Sequence, residues 1–194
     1  MTTLTVGNGI NSIEENVFKN CDALSSVYIK DLSAWCNINF KGVSSDYSDI
    51  PYSTPLHKGA KLYLNNNELT ELVIPDDVKI IGGCAFYGCP SITSVTIGDG
   101  VTEIGWYAFR KCPSLTSATI GNNITVVERG AFADCTSLNK VSFGESVKKL
   151  RRLLLGMLPL RSAIVIIPLR QAFYTLNRDG LLYQLMNIVL SIMQ

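Results

Sequence analysis

Apolar residues recur along this chain in short in-and-out pairs at a fixed step. Leu4/Val6, Val27/Ile29, Leu72/Ile74, Val95/Ile97, Ala118/Ile120 and Val141/Phe143 each flank one outward residue, the alternation of a short strand with one buried face. A turn former follows, clearest at Gly98, Gly121 and Gly144. A second inward pair such as Val101 and Ile104 comes next, then an Ala-Phe-x-x-Cys segment. Cys89, Cys112 and Cys135 are 23 residues apart, and the Ala-Phe pairs at Ala85, Ala108 and Ala131 keep the same step. Apolar positions three and four apart predict a short helical or 3-10 segment there. The stretch from Leu4 is a looser copy, with Val17-Phe18 and Cys21 in the corresponding slots. One such unit cannot bury its apolar face alone, whereas stacked units bury a continuous core. The pattern therefore predicts a repeat solenoid, with short strands on one face and short helical or 3-10 segments on the other.

The same pattern divides the chain. Residues 1–29 form an N-terminal repeat, 30–68 an insertion, 69–147 three regular repeats, and 148–194 a tail of different character. The insertion carries Trp35, Phe40, Tyr47, Tyr52 and Tyr63 around Pro51 and Pro55. It reads either as an elaborated repeat whose aromatics pack on the solenoid edge or as an exposed aromatic binding loop. In the second reading Trp35 and Phe40 are anchors, and Tyr47 and Tyr52 are contacts. In the tail, another step of 23 from Val141/Phe143 lands on Ile164/Ile166 inside an apolar run. Three readings stand there: a degenerate repeat to Pro168 followed by a cap, a shifted reading frame over repeat-encoding DNA, and a basic amphipathic segment in peripheral contact with a membrane.

Composition narrows the function classes. The chain has 194 residues, 47% of them hydrophobic, which fits one domain with a sizeable core. A net charge of +1 lacks the basic excess of a dedicated nucleic-acid binder. Charge is uneven, with seven Lys/Arg from Lys148 onward against the single acid Asp179. Met1-Thr2-Thr3 shows no basic segment leading into an apolar one, so no signal peptide is expected in this sequence. No stretch reaches the roughly 18 apolar residues of a transmembrane span.

Candidate chemistry is sparse. Cys21, Cys89, Cys112 and Cys135 occupy one slot per repeat and read as small buried hydrophobes. Without a His pair or a CxxC, zinc is not expected. His57 is the sole histidine and reads as a solvated loop residue, so a Ser-His-Asp triad has little to stand on. Asp76, Asp77, Asp99, Glu103, Glu128 and Asp134 fall in turn or solvent slots and form no recurring carboxylate pair. The Gly-Asp-Gly at Gly98–Gly100 lacks the Lys of a phosphate loop, and the turns carry too few acids for calcium. No catalytic, cofactor-binding or metal residue is assigned, and no cofactor is expected. One surface remains: the middle strand residues Thr5, Tyr28, Val73, Thr96, Thr119 and Ser142 should line up as a ladder on the sheet face. Such a face is shallow and polar, suited to a broad protein or glycan contact.

The recurring I-G-x-x-A-F-x-x-C-x-S-L-T-S-V-x-I-G pattern, best seen from Ile104 to Gly121, resembles the BspA-type leucine-rich repeat family of bacterial surface proteins. The resemblance covers 4–29 and 69–147, and the segments Asp31–Phe40 and Thr54–Pro75 also resemble stretches recurring in these proteins. It implies an α/β-type leucine-rich repeat fold in a cell-surface or secreted, non-enzymatic protein that binds proteins or glycans in adhesion. The alternative is a purely structural fragment of a larger repeat protein.

Overall fold

The computed structural model describes residues 1–42 and 52–144, with two further strands at Lys149–Leu150 and Ile164–Ile166. The chain begins with β1 (Thr3–Val6), β2 (Ser12–Ile13) and β3 (Ser26–Ile29), then α1 (Leu32–Cys36) and β4 (Asn39–Phe40). A hairpin follows, β5 (Lys61–Leu64) and β6 (Asn67–Glu68). The regular coils carry β7 (Glu71–Ile74), β8 (Ile80–Ile81), β9 (Ser94–Ile97), β10 (Glu103–Ile104), β11 (Ser117–Ile120), β12 (Val126–Val127) and β13 (Lys140–Phe143). The last two strands are β14 (Lys149–Leu150) and β15 (Ile164–Ile166).

Each coil sends its longer strand to one layer and its two-residue strand to another. Parallel pairing joins β7-β9-β11-β13-β15 in the first layer and β8-β10-β12-β14 in the second. The register is in step with the sequence: Val95 faces Ala118, which faces Val141, and Ile97 faces Ile120, which faces Phe143. All of these inward residues are buried. At β15 the step lengthens by one, because Val141 faces Val165 rather than Ile164. The tail beyond it, and its three readings, lie outside the described residues.

The third side corrects the helical expectation. Ala85, Tyr87 and Cys89 donate their N–H groups to Gly82, Cys84 and Phe86 carbonyls three residues back, but Cys84, Phe86 and Gly88 donate to Trp106, Ala108 and Arg110 in the next coil. The segment is thus a run of turns in which alternate amides look inward and across. Two left-handed residues make the alternation in the first coil and in each of the three regular ones: Asn16 and Asn20, Cys84 and Gly88, Tyr107 and Lys111, Gly130 and Asp134. A right-handed helix cannot accommodate either position.

Like residues stack on like. Phe86, Phe109 and Phe132 are fully buried, with successive ring centroids 5.1 Å apart and planes within 6° of parallel. The repeated cysteines add hydrogen bonds between coils, since the Cys112 thiol donates to the Phe86 carbonyl at 3.1 Å and the Cys135 thiol to the Phe109 carbonyl at 2.9 Å. Threonines at the coil corners do the same outside. Thr93 and Thr116 hydroxyls donate to the Thr70 and Thr93 carbonyls, and Thr102 and Thr125 to those of Lys79 and Thr102. Gly98, Gly121 and Gly144 serve close approach between coils: a Cβ on Gly121 would lie 2.6 Å from the Gly98 carbonyl oxygen, and one on Gly144 2.5 Å from that of Gly121.

The segment 30–68 is built into the same stack. Asp31 caps α1 by accepting from the Ala34 amide at 2.9 Å, and β4 pairs with β2. The chain re-enters the turn side at Tyr52, whose carbonyl accepts from the Phe18 amide at 2.9 Å. In the regular coils that acceptor is the Ala of Ala-Phe, so Tyr52 holds the Ala slot and buried Ser53 the Phe slot. Trp35 packs inward from α1 and donates its indole N–H to the Ala85 carbonyl at 3.0 Å. The hairpin turns on Asn65 and Asn66, both left-handed, as a two-residue loop requires.

Two substitutions test this packing. Phe109→Ala removes the central ring of the stack and should cost about 3–5 kcal/mol in a denaturant melt. Lys111→Gly relieves an exposed left-handed residue and should gain roughly 0.5–1 kcal/mol after the extra freedom of the unfolded chain is subtracted.

Candidate functional site

The outward strand residues form two ladders, not one. Thr5, Tyr28 and Tyr63 face one another across β1, β3 and β5, while Val73, Thr96, Thr119 and Ser142 do so across β7, β9, β11 and β13. The antiparallel β6 stands at the edge of the first sheet, so Tyr28 and Val73 are not neighbours. This corrects the continuous ladder, and the reason is the β5–β6 hairpin, which inserts an extra strand and lets the chain enter the layer twice.

Within the first ladder Tyr28 and Tyr63 stack with centroids 4.8 Å apart and planes 17° from parallel. Both are half-buried. Tyr63 was not among the expected contacts, although Lys61–Leu64 alternates as a strand should. In the second ladder Val73 is 64% exposed, an uncommon position for a large aliphatic side chain, and Thr96 and Thr119 are exposed beside it. Ser142 is half-buried. Charges stay at the margin, where Lys61 pairs with Glu68 across the hairpin at 3.1 Å.

The aromatic contacts expected in the insertion separate. Trp35 and Phe40 are buried and meet edge to face at 5.5 Å. Tyr52 is half-buried, edge-on to His57 at 5.2 Å, with the Lys19 ammonium 6.0 Å from its ring. It lies on the turn side, away from the strand ladders. Tyr47 lies outside the described residues.

Two titratable residues differ from expectation. His57 is half-buried rather than solvated, with Nδ1 2.9 Å from the Thr54 carbonyl. Glu128, expected in a solvent slot, is buried in the turn side of the fifth coil, because Glu103–Ile104 and Val126–Val127 pair in register and carry it under the stack. Asp99 is a joint between coils: its carboxylate accepts from the Asn122 amide at 2.6 Å. Arg110 and Asp134 pair at 2.9 Å, with the guanidinium 5.0 Å from the Tyr107 ring.

The cysteines are all free thiols. Burial, then the nearby Asp77 and Asp31 charges, push Cys36 up to about 12. Burial likewise raises Cys84, Cys89 and Cys112 above the ordinary thiol range. A thiol held protonated is a poor nucleophile and a poor metal ligand. Among the described residues no cluster of His, Cys, Asp and Glu is arranged to hold a metal ion, and no helix is long and apolar enough to cross a membrane.

Sequence comparison agrees with this architecture. A family model described as "BspA type Leucine rich repeat region (6 copies)" matches residues 1–54 and 59–169. The chain belongs to the BspA-type leucine-rich repeat family. Two solved structures are similar in fold. A leucine-rich repeat protein from Eubacterium ventriosum is 19% identical with a TM-score of 0.51, over 79% of this chain and 39% of its own length. A leucine rich cell surface protein from Faecalibacterium prausnitzii is 17% identical with a TM-score of 0.49, over 93% of this chain and 64% of its own. The chain therefore spans less than two thirds of either. No curated protein matches it. BspA-type repeats form a scaffold family, and in this member each coil leaves one sheet-face side chain outside its core.

The burial pattern predicts the thiol chemistry. In the native protein, a disulfide-exchange reagent at neutral pH should modify Cys21, the half-buried one, at least tenfold faster than the other five, which should react only on unfolding. Fast labelling of Cys112 or Cys135 would contradict the stacked, closed core.

Proposed function

We propose that the protein is a binding scaffold whose sheet face takes a protein or glycan ligand at the bacterial cell surface, in adhesion. The observation that carries this reading is the outward ladder of the regular coils. Val73, Thr96 and Thr119 are exposed side by side while their strand neighbours Leu72, Val95 and Ala118 hold the core. Side chains with no packing role are free to serve recognition, and a row of them at strand spacing presents a broad, shallow face rather than a pocket. The Tyr28–Tyr63 stack adds the kind of rigid aromatic surface that dominates binding energy at interfaces. The cell-surface setting rests on the family resemblance.

A non-catalytic role goes with this reading. His57 faces a backbone carbonyl, and burial holds the Cys36 and Cys112 thiols protonated. The second reading is a structural unit within a longer repeat protein. The greater length of the Eubacterium ventriosum structure favours it.

The test is a binding screen of the purified chain against immobilised extracellular-matrix proteins and a glycan array, followed by the double variant Thr96→Arg/Thr119→Arg and by Tyr28→Ala. The two arginines face each other across β9 and β11, so at ~0.5 kcal/mol for each exposed substitution the pair should lower the melting temperature by no more than about 4 °C. The same variant should weaken any specific hit at least tenfold. Hits that survive both variants would remove the sheet face from the reading, and the absence of any hit would favour the structural unit.

A further inference from the structure

The turn at 52–59 carries Ser53 in the slot that holds Phe86, Phe109 and Phe132 in the regular coils, with His57 close behind it. His57 Nδ1 lies 2.9 Å from the Thr54 carbonyl, so in the neutral ring Nδ1 bears the proton and Nε2 does not. Nε2 is buried with no hydrogen-bond partner, and so is the Ser53 hydroxyl in the Phe slot. Around the ring lie Tyr52 edge-on, Lys58 on the same turn, and Asp22 of the first coil, which pairs with Lys58 at 3.2 Å. Lys19 of the first coil reaches the Tyr52 ring, and the third coil meets the turn through the Gly88 backbone.

We propose that His57 is an acid-sensitive clasp that holds the 52–59 turn, and Tyr52 with it, against the first coil. A second ring proton would place an N–H donor at a buried site with no acceptor and a positive charge beside Lys58. A buried donor without an acceptor is costly. Leu56 anchors the middle of the turn in the core, while the Phe18 amide to the Tyr52 carbonyl and the exposed Lys58–Asp22 pair link its flanks to the first coil. Loosening this turn separates Tyr52 from His57 and Lys19 and alters the surface it presents. Burial lowers the affinity of the folded ring for a proton, Lys58 lowers it further, and the Thr54 carbonyl and Asp22 offset part of this. The folded group therefore titrates below the unfolded value of 6.5. Its contribution is complete above 6.5 and is lost as pH falls through the folded value.

The imidazole is the single histidine of the chain, so its titration can be followed by NMR without ambiguity. The expected result is a titration midpoint below 6.5 in the intact chain. Over the same range, hydrogen exchange of the Phe18, His57 and Gly59 amides, corrected for intrinsic rates, should accelerate. The effect should be about tenfold in the opening equilibrium for each pH unit separating the folded and unfolded midpoints. The Thr116 and Asn139 amides, which bond between regular coils, should not respond. His57→Asn keeps a donor towards Thr54 and cannot be charged, so its exchange should be flat with pH. Lys58→Met removes the neighbouring like charge, so it should raise the ring's NMR midpoint towards 6.5 and shrink the acid acceleration of exchange in proportion, which keeps the proposal falsifiable if His57→Asn does not fold. A midpoint at or above 6.5, or an identical acid response in His57→Asn, would overturn the proposal.

Discussion

The structure depends on backbone hydrogen bonds that no coil can make for itself. An edge strand with an open ladder and a half-exposed apolar face is stable only beside another with the same register. In this chain that requirement runs through three layers at once, the long strands, the short strands and the turn side, where Phe86 and Gly88 lend their amides to Ala108 and Arg110 one coil away. In-register stacking then dictates composition. Each residue meets its own counterpart above and below, which suits Phe on Phe and Thr on Thr and excludes buried like charges. Several charges are instead paired between coils at diagonal or corner positions, as with Arg110 and Asp134, or Asp99 and the Asn122 amide.

The insertion shows how strictly the requirement is kept. The chain departs after Phe40, yet the first coil still needs an acceptor for the Phe18 amide, and the Tyr52 carbonyl supplies it. Sequence identity in that slot is loose because a carbonyl is common to every residue. Side-chain identity is not kept in the next slot: buried Ser53 stands where the regular coils place Phe, and the Trp35 indole, buried from α1, links this part of the chain to the third coil through the Ala85 carbonyl.

The inward pairs from Leu72 to Phe143 were legible in the sequence because a period of two within strands and of 23 between them leaves no other consistent burial. The turn side misled because Ala-Phe-x-x-Cys spaces its apolar residues as a helix does. What decides its geometry is backbone sign, which side chains advertise only where Asn or Gly stands, at Asn16, Asn20, Gly88 and Gly130. At Cys84, Tyr107 and Lys111 the stack imposes the left-handed conformation on residues that disfavour it, and no local signal exists. Tyr63 was missed for another reason. Lys61–Leu64 falls out of phase with the 23-residue step, so the strand was hidden in the insertion, although Asn65-Asn66 marks the hairpin that follows. The outward positions of Thr5, Tyr28, Val73, Thr96, Thr119 and Ser142 were legible, but their division into two ladders was not, since it follows from that hairpin.

Regularity and recognition pull in opposite directions on such a scaffold. A perfectly repeated face offers the same side chain at every coil, so a ligand shifted by one coil meets nearly the same surface. Specificity needs a position where the repetition fails. On the sheet face the repetition fails at the boundary between the two ladders, where threonine gives way to the stacked Tyr28 and Tyr63 on one side and to exposed Val73 on the other. The hairpin that creates the boundary costs the core little, because β5 still pairs in register with β3 and β7 with β9. An insertion that satisfies the backbone on both flanks is therefore the means by which a periodic fold acquires a non-periodic surface.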